Sequence, residues 1–164
     1  MLNYLIIFFS VFVDQTSKYI ISSYEFSEFP INIFSDFIRF TYITNSGIAF
    51  GLNPFGDYKI ILFIVSVIAI VFVIKILNDS KEDSLIRQFS LSFIVGGAIG
   101  NLIDRFFTSF HLYNYSGVID FIDIGISGYR FYIFNFADFF ISLGIILYLI
   151  SFINSKPVHE KQSR

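Results

Sequence analysis

Carboxylates, amides and cations stand inside otherwise apolar stretches of this sequence: Asp14 and Lys18, then Asn101, Asp104 and Arg105, then Asn135 and Asp138. A further acid, Asp120, sits in the apolar run Val118-Ile119-Asp120-Phe121. The chain has no cysteine, so disulfides, thiol nucleophiles and thiolate metal sites are excluded. Its two histidines are His111 and His159, the latter in a polar tail, and a histidine-built site is not expected. Carboxylates are the catalysts that remain. Two that share a site cannot easily both ionise, so one keeps its proton while the other acts as a base. Such a pair can activate water against a peptide carbonyl and stabilise the oxyanion, and it titrates as a unit.

The candidate acids are Asp14, Asp104, Asp120, Asp123 and Asp138. Asp14 has Lys18 one helical turn on, and a carboxylate paired with a cation is more often structural than catalytic. Asp104 has Arg105 beside it, although adjacent helical residues point apart. Asp138 has no cation within helical reach and shares a face with Asn135. These features favour Asp120 with Asp138, and leave Asp104 with Asp138 as an alternative dyad. Asp36 and Asp123 read as solvated loop acids. Asn45, in Thr44-Asn45-Ser46-Gly47, reads as a turn residue. Asn101 and Asn135 read equally well as interhelical hydrogen-bond partners.

The elements that position these groups follow from composition. Of 164 residues, 55% are hydrophobic and only 15% charged, with a mean hydropathy of +0.70. Soluble domains carry about 25% charge. A spanning helix needs about 20 mostly apolar residues, and four stretches qualify: about 2–21, 58–77, 89–107 and 131–153. The first lacks a basic start and a small-residue cleavage site, so it reads as a retained helix. The net charge of −2 without a basic run argues against a nucleic-acid partner. The expected fold is a mainly α membrane protein: four transmembrane helices with a small extracytoplasmic β-sheet in the loop between helices 1 and 2. That loop contains the β-rich run Ile38-Arg39-Phe40-Thr41-Tyr42-Ile43-Thr44, with turns at Gly47, Gly51, Pro54 and Gly56. The second outer loop, 108–130, is expected to pack on the first.

Lys75, Lys81, Arg87, Lys156, Lys161 and Arg164 fall on one side of these spans, against Arg39, Arg130 and Lys59 on the other. The bias puts both termini in the cytoplasm. Lys75 then reads as snorkelling to the cytoplasmic surface. At about 1.5 Å per residue, the intramembrane polar groups all fall near the outer boundary. Charge within a span is costly and usually functional, and scattered structural polar residues would not share a depth. Gly96 and Gly100 form a small-xxx-small pair, read as helix packing.

These residues resemble, in one order along nearly the whole chain, the motifs of lipoprotein signal peptidase, also called signal peptidase II. Asp14-Gln15-Thr16-Ser17-Lys18 is similar to the first motif and Asn45-Ser46-Gly47-Ile48-Ala49-Phe50 to the second. The run from Gly96 to Arg105 is similar to the third. Val118-Ile119-Asp120-Phe121 and Phe134-Asn135-Phe136-Ala137-Asp138 are similar to the fourth and fifth. The resemblance implies a bacterial cytoplasmic-membrane aspartic endopeptidase whose catalytic acids are Asp120 and Asp138. It implies that Asn101, Asp104, Arg105 and Asn135 line or support the site and that Asn45 and Arg105 contact substrate. Asp14 and Lys18 would hold the structure nearby. The implied substrate is a diacylglyceryl-modified prolipoprotein cut just before its lipidated cysteine. No metal, cofactor or protein partner is implied, only membrane lipid. The stretch 106–119, with His111, Tyr113 and Tyr115, is longer than usual for the family and is expected to form a larger loop beside the site.

Two other classes remain open from the sequence. An ion-coupled transporter would hold its carboxylates near the midplane, often in repeated halves, and no repeat is visible. A structural protein without activity would not need an intact acid pair.

Overall fold

The computed structural model describes residues 1–25, 28–47, 59–80, 84–126 and 128–153. Four helices are long and apolar enough to cross a membrane: α1 (Leu2–Ser22), α2 (Lys59–Asp79), α3 (Leu85–Ser109) and α4 (Phe136–Ile153). A four-stranded antiparallel sheet joins them, in the order β1 (Ile31–Phe34), β2 (Ile38–Asn45), β3 (Val118–Ile126), β4 (Tyr129–Arg130). The turns expected at Gly51, Pro54 and Gly56, the Ile48-Ala49-Phe50 part of the second motif, and Lys81, Lys156, His159, Lys161 and Arg164 lie outside the described residues.

Helices α1 and α3 bury polar and charged groups behind an apolar outer surface. On α1 the buried residues are Ser10, Asp14, Lys18 and Ile21, a stripe at helical spacing, while Phe8, Phe12 and Tyr19 are exposed. In water this would be inverted. In lipid it is the expected arrangement, because polar groups must find partners within the bundle. Helix α3 is the central element and packs against the other three. Its glycines make that possible. A Cβ on Gly96 would lie 2.6 Å from Ser10 Cβ, and one on Gly100 would lie 2.5 Å from Asp14 Oδ2. Gly97 faces the Ala137 carbonyl of α4 instead. The small residues therefore seat two different helices.

The connections α1–α2 and α3–α4 both build the sheet. The first supplies β1 and β2, and the second supplies β3 and β4. Register places Ile43 opposite Asp120 and Arg39 opposite Asp123, with an irregularity between Phe40 and Ile43. Beneath the sheet, Ile119 and Phe121 of β3 pack with Ile21 of α1 in a buried cluster that Phe40, Tyr42, Tyr115 and Phe136 surround. Alternation along β3 turns Asp120 to the face opposite these two apolar neighbours.

Two expectations are corrected. Asp123 is not a solvated loop acid. It is 1% exposed, and its carboxylate accepts from Arg39 Nε at 2.5 Å, Arg130 Nε at 2.9 Å and Thr41 Oγ1 at 3.1 Å. The sequence separates these residues, and strand pairing brings them together. Asp36, by contrast, is exposed. The second correction concerns the fourth span, which begins at Phe136 rather than 131. Residues 131–134 are apolar but extended. They pair with β3 through Phe131 N to Ile124 O at 2.6 Å and Phe134 N to Ile122 O at 3.1 Å. Hydropathy does not distinguish a strand from a helix in so short a run. The third span is longer than expected at both ends, opening on the Ser84 cap and closing at Ser109. The long stretch after Arg105 is therefore helical for one more turn. The chain then reverses through left-handed backbone at His111, Tyr113 and Asn114, and the Tyr115 ring packs back, tilted, against Phe107.

Gly100→Ala should displace the Asp14 carboxylate and separate α1 from α3. The expected outcome is a large loss of folded protein on size-exclusion chromatography in detergent, and a normal yield would contradict the packing described. A second expectation concerns acid. Burial opposes charge on Asp123, but hydrogen bonds from Arg130, Arg39 and Thr41 hold its carboxyl below the usual carboxylate range. Its stabilisation is thus fully present above the unfolded value of about 4 and is lost as pH falls through the lower folded value. Asp123→Asn should destabilise the protein in detergent near neutrality by about 2 kcal/mol, read as a lowered thermal midpoint. The gap to wild type should close in acid, below about pH 4.

Candidate functional site

The N-terminus of α4 is the scaffold of the site. A helix leaves its first amide donors without intrahelical partners, and here that end is buried. Asn135 is the cap. Its Oδ1 accepts from Asp138 N at 2.9 Å, and Asp138 Oδ2 accepts from Asn135 N at 3.3 Å. This is a reciprocal capping box with an aspartate at its third helical position. Asp14 Oδ1, from α1, accepts from Ala137 N at 2.8 Å and satisfies another of the orphan donors. Asp138 therefore has its place because it is part of the start of its own helix, where the positive end of the dipole favours a carboxylate.

Asp120 arrives from the sheet. The residue before it is held on both sides: Ile119 N donates to Asp104 Oδ2 at 3.2 Å, and Ile119 O accepts from Asn135 Nδ2 at 3.2 Å. Asn135 Nδ2 also reaches Asp120 Oδ1 at 2.6 Å. On the other side, Asn45 Nδ2 donates to Asp120 Oδ2 at 3.3 Å. Asn45 lies opposite Val118, so this is a diagonal cross-strand pair. Asn45 is also a turn residue, as its sequence context indicates, since its Oδ1 accepts from Gly47 N at 3.0 Å. Burial pushes the Asp120 carboxyl up to about 7, and the charge of Asp138 adds to the rise.

Asn101 closes the circuit between the two acids. Its Nδ2 donates to Asp138 Oδ1 at 2.9 Å, and its Oδ1 accepts from Asn135 Nδ2 at 3.1 Å. Each acid is thus held by an asparagine that also holds the other's support. Behind this layer lies a buried ionic cluster. Lys18 Nζ is 2.8 Å from Asp14 Oδ2, 2.8 Å from Asp104 Oδ2 and 3.1 Å from Asn101 Oδ1. All three charged side chains are essentially inaccessible.

Asp120, Asp138, Asn45, Asn101 and Arg105 line one cavity of about 660 Å³. Its wall continues down between α2, α3 and α4 along Ser66, Ala69, Ala98 and Ile141, and its lining is mostly apolar. Asp14, Lys18, Asp104 and Asn135 stand one layer away from the cavity and support its residues. The structure therefore separates neighbours Asp104 and Arg105, turning the first to Lys18 and the second to the cavity. Two participants carry no expectation from sequence. Gln15 Nε2 bonds Asp14 Oδ2 at 3.1 Å, Asp104 Oδ1 at 3.3 Å and Gly100 O at 3.0 Å. Tyr132 lines the cavity, and its hydroxyl accepts from Asn45 Nδ2 at 3.0 Å. Gln15 lies within a quoted motif, whereas nothing in the apolar run 131–134 marks Tyr132.

The family described as signal peptidase (SPase) II matches residues 6–154. A lipoprotein signal peptidase of Borreliella burgdorferi is 36% identical over 148 residues, covering 85% of this chain and 82% of its own. One from Clostridium tetani is 35% identical over 160 residues, covering 96% of each. Among solved structures, a bacterial membrane enzyme determined in meso at 2.3 Å superposes with a TM-score of 0.80 at 30% identity, over 99% of this chain and 93% of that one. A second, at 1.9 Å, gives 0.78 at 32% identity over 94% of each. Four helices able to span a membrane, a small antiparallel sheet and a match along almost the whole chain place this protein in the signal peptidase II family, as a multi-pass membrane peptidase.

Proposed function

We propose that the chain removes signal peptides from diacylglyceryl-modified prolipoproteins by aspartic catalysis, with Asp120 and Asp138 as the acid pair. The observation that carries this reading is that both carboxylates enter one largely apolar cavity and are joined through Asn135 and Asn101. The pair shares one proton. Burial favours the protonated form of Asp120, which leaves Asp138 as the base of the pair. Asp138 takes a proton from water as the water oxygen adds to the scissile carbonyl carbon. Asp120 donates to the developing oxyanion. The tetrahedral intermediate collapses as Asp138 passes the proton it took from water to the amide nitrogen of the lipidated cysteine, the C–N bond breaks, and the hydroxyl formed from the oxyanion returns its proton to Asp120 as the new carboxyl C=O forms.

Asn45 and Arg105 stand where they can bind the peptide backbone, while Asn101 and Asn135 orient the acids. Asp14, Lys18 and Asp104 hold the helices that carry them. Asp104 is engaged by Lys18, Gln15 and Ile119, which argues against it as a member of the dyad. The apolar wall between α2, α3 and α4 suits acyl chains and an apolar signal segment. A substrate anchored there presents its scissile bond to the acids without extensive sequence reading. In this reading the protein sits in the bacterial cytoplasmic membrane, with both termini cytoplasmic and the cavity mouth at the outer leaflet.

The direct test is cleavage of a purified diacylglyceryl-modified prolipoprotein in detergent, with chelator present. Wild type should cut before the lipidated cysteine and should cut the unlipidated precursor far more slowly. Asp120→Asn and Asp138→Asn should each fold and lose about three orders of magnitude or more in kcat/KM. Normal turnover by either variant would remove that residue from the dyad. The pH profile makes a further claim. Because Asp120 must carry the proton, kcat/KM should fall on the alkaline side with a midpoint near 7. A profile flat from neutrality to pH 9 would contradict that role.

A further inference from the structure

Tyr132 belongs neither to the acid pair nor to the asparagine circuit, yet its phenol stands in the cavity wall beside both. It lies in the extended linker between β4 and α4, which the hydrogen bonds of Phe131 and Phe134 tie to β3. The backbone that carries the phenol is therefore fixed. Its hydroxyl accepts from Asn45 Nδ2, and the terminal amide of Asn45 makes three hydrogen bonds. Oδ1 accepts from Gly47 N at 3.0 Å, while Nδ2 donates to Tyr132 Oη at 3.0 Å and to Asp120 Oδ2 at 3.3 Å. An amide nitrogen has two hydrogens. With one directed to the phenol, the other is directed to the carboxylate. The bond to Asp120 is the longest of the three, so its geometry depends most on the other two.

We propose that Tyr132 is a positioning residue: its hydroxyl sets the orientation of the Asn45 amide, and through that amide it tunes the proton affinity of Asp120. The inference rests on the proposed role of Asp120 for its effect on turnover, but its physical content is independent of catalysis. A donor to the carboxylate stabilises the charged form, and the Asn45 hydrogen bond acts on Asp120 in that direction. The other groups around Asp120 come from every neighbouring element: Lys18 of α1, Asp104 and Arg105 of α3, and Asn135 and Asp138 at the start of α4. The Tyr132 hydroxyl also acts electrostatically on Arg105, so the double variant with Asn45→Ala is what separates that route from the one through the Asn45 amide; Tyr132→Phe keeps the ring and with it the cavity wall.

The experiment is a titration of the Asp120 carboxyl by infrared difference spectroscopy on detergent-solubilised full-length protein, with the band assigned by its absence in Asp120→Asn. Tyr132→Phe should raise the midpoint by roughly half a pH unit, the size of one weakened hydrogen bond. Asn45→Ala should raise it by at least as much, and the double variant should show no further rise over Asn45→Ala. The alkaline limb of kcat/KM should move with the infrared midpoint. A Tyr132→Phe midpoint equal to that of wild type, or two shifts that simply add, overturns the proposal. Because the band requires no turnover, these outcomes stand even if Asp120→Asn retains activity, a result that would overturn the dyad and leave the Tyr132–Asn45 linkage to be judged on its own.

Discussion

The structure depends on one buried ammonium. Lys18 is 1% exposed on a helix whose outer face is apolar, so its charge has no water to solvate it. Such a cation persists only with close anionic partners. Asp14 comes from its own helix and Asp104 from α3, each at 2.8 Å. Two carboxylates against one ammonium leave an excess of negative charge. Gln15 shares it by donating to both, and Ala137 N and Ile119 N take the remaining acceptor positions. Removing one partner of a buried pair typically costs about 3–5 kcal/mol. The consequence is geometric as much as energetic. The cluster clamps α1 to α3, the start of α4 to α1, and β3 to α3.

That clamp explains how the acids are placed through backbone and amide contacts, with Arg105 lining the same cavity. Asp104 fixes the peptide of Ile119, and Asp120 follows it in the strand. Asp14 fixes the second residue of α4, and Asp138 follows it in the helix. In each case a structural aspartate holds a backbone amide one residue before a cavity-lining aspartate. The asparagines then fill the space between. An amide can donate to a carboxylate without neutralising it, so Asn101 and Asn135 can orient both acids and still leave one of them able to hold a proton. A lysine or arginine in the same place would drive both acids to the charged state.

The sheet serves the same end by a different route. It is small, and a few short strands are not stable without packing against other elements. It gains its rigidity from the Ile21, Ile119 and Phe121 cluster below and from Asp123, which ties β2 to β4 through Arg39 and Arg130. Both the apolar and the ionic ties act on β3, the strand that carries Asp120.

Much of this was legible in the sequence. Four spans followed from apolar length, and the polar groups within them followed from the cost of burying charge in lipid. Helical spacing put Asp14 with Lys18 and Asn135 with Asp138. The order of five motifs pointed to the family that the comparisons then showed. What periodicity could not supply was any relation across chain separation. Asp123 looked solvated because its arginines are 84 and 7 residues away, and only the register of β2, β3 and β4 assembles them. The run 131–135 looked helical because hydropathy is blind to the strand that pairs with it. Tyr132 was invisible for the same reason, since its partner Asn45 lies 87 residues earlier. The sequence by itself determined which groups must be buried and therefore must find partners. Tertiary structure decided which partners they found, because a hydrogen bond or an ion pair depends on distances of about 3 Å that only the packed helices and paired strands set.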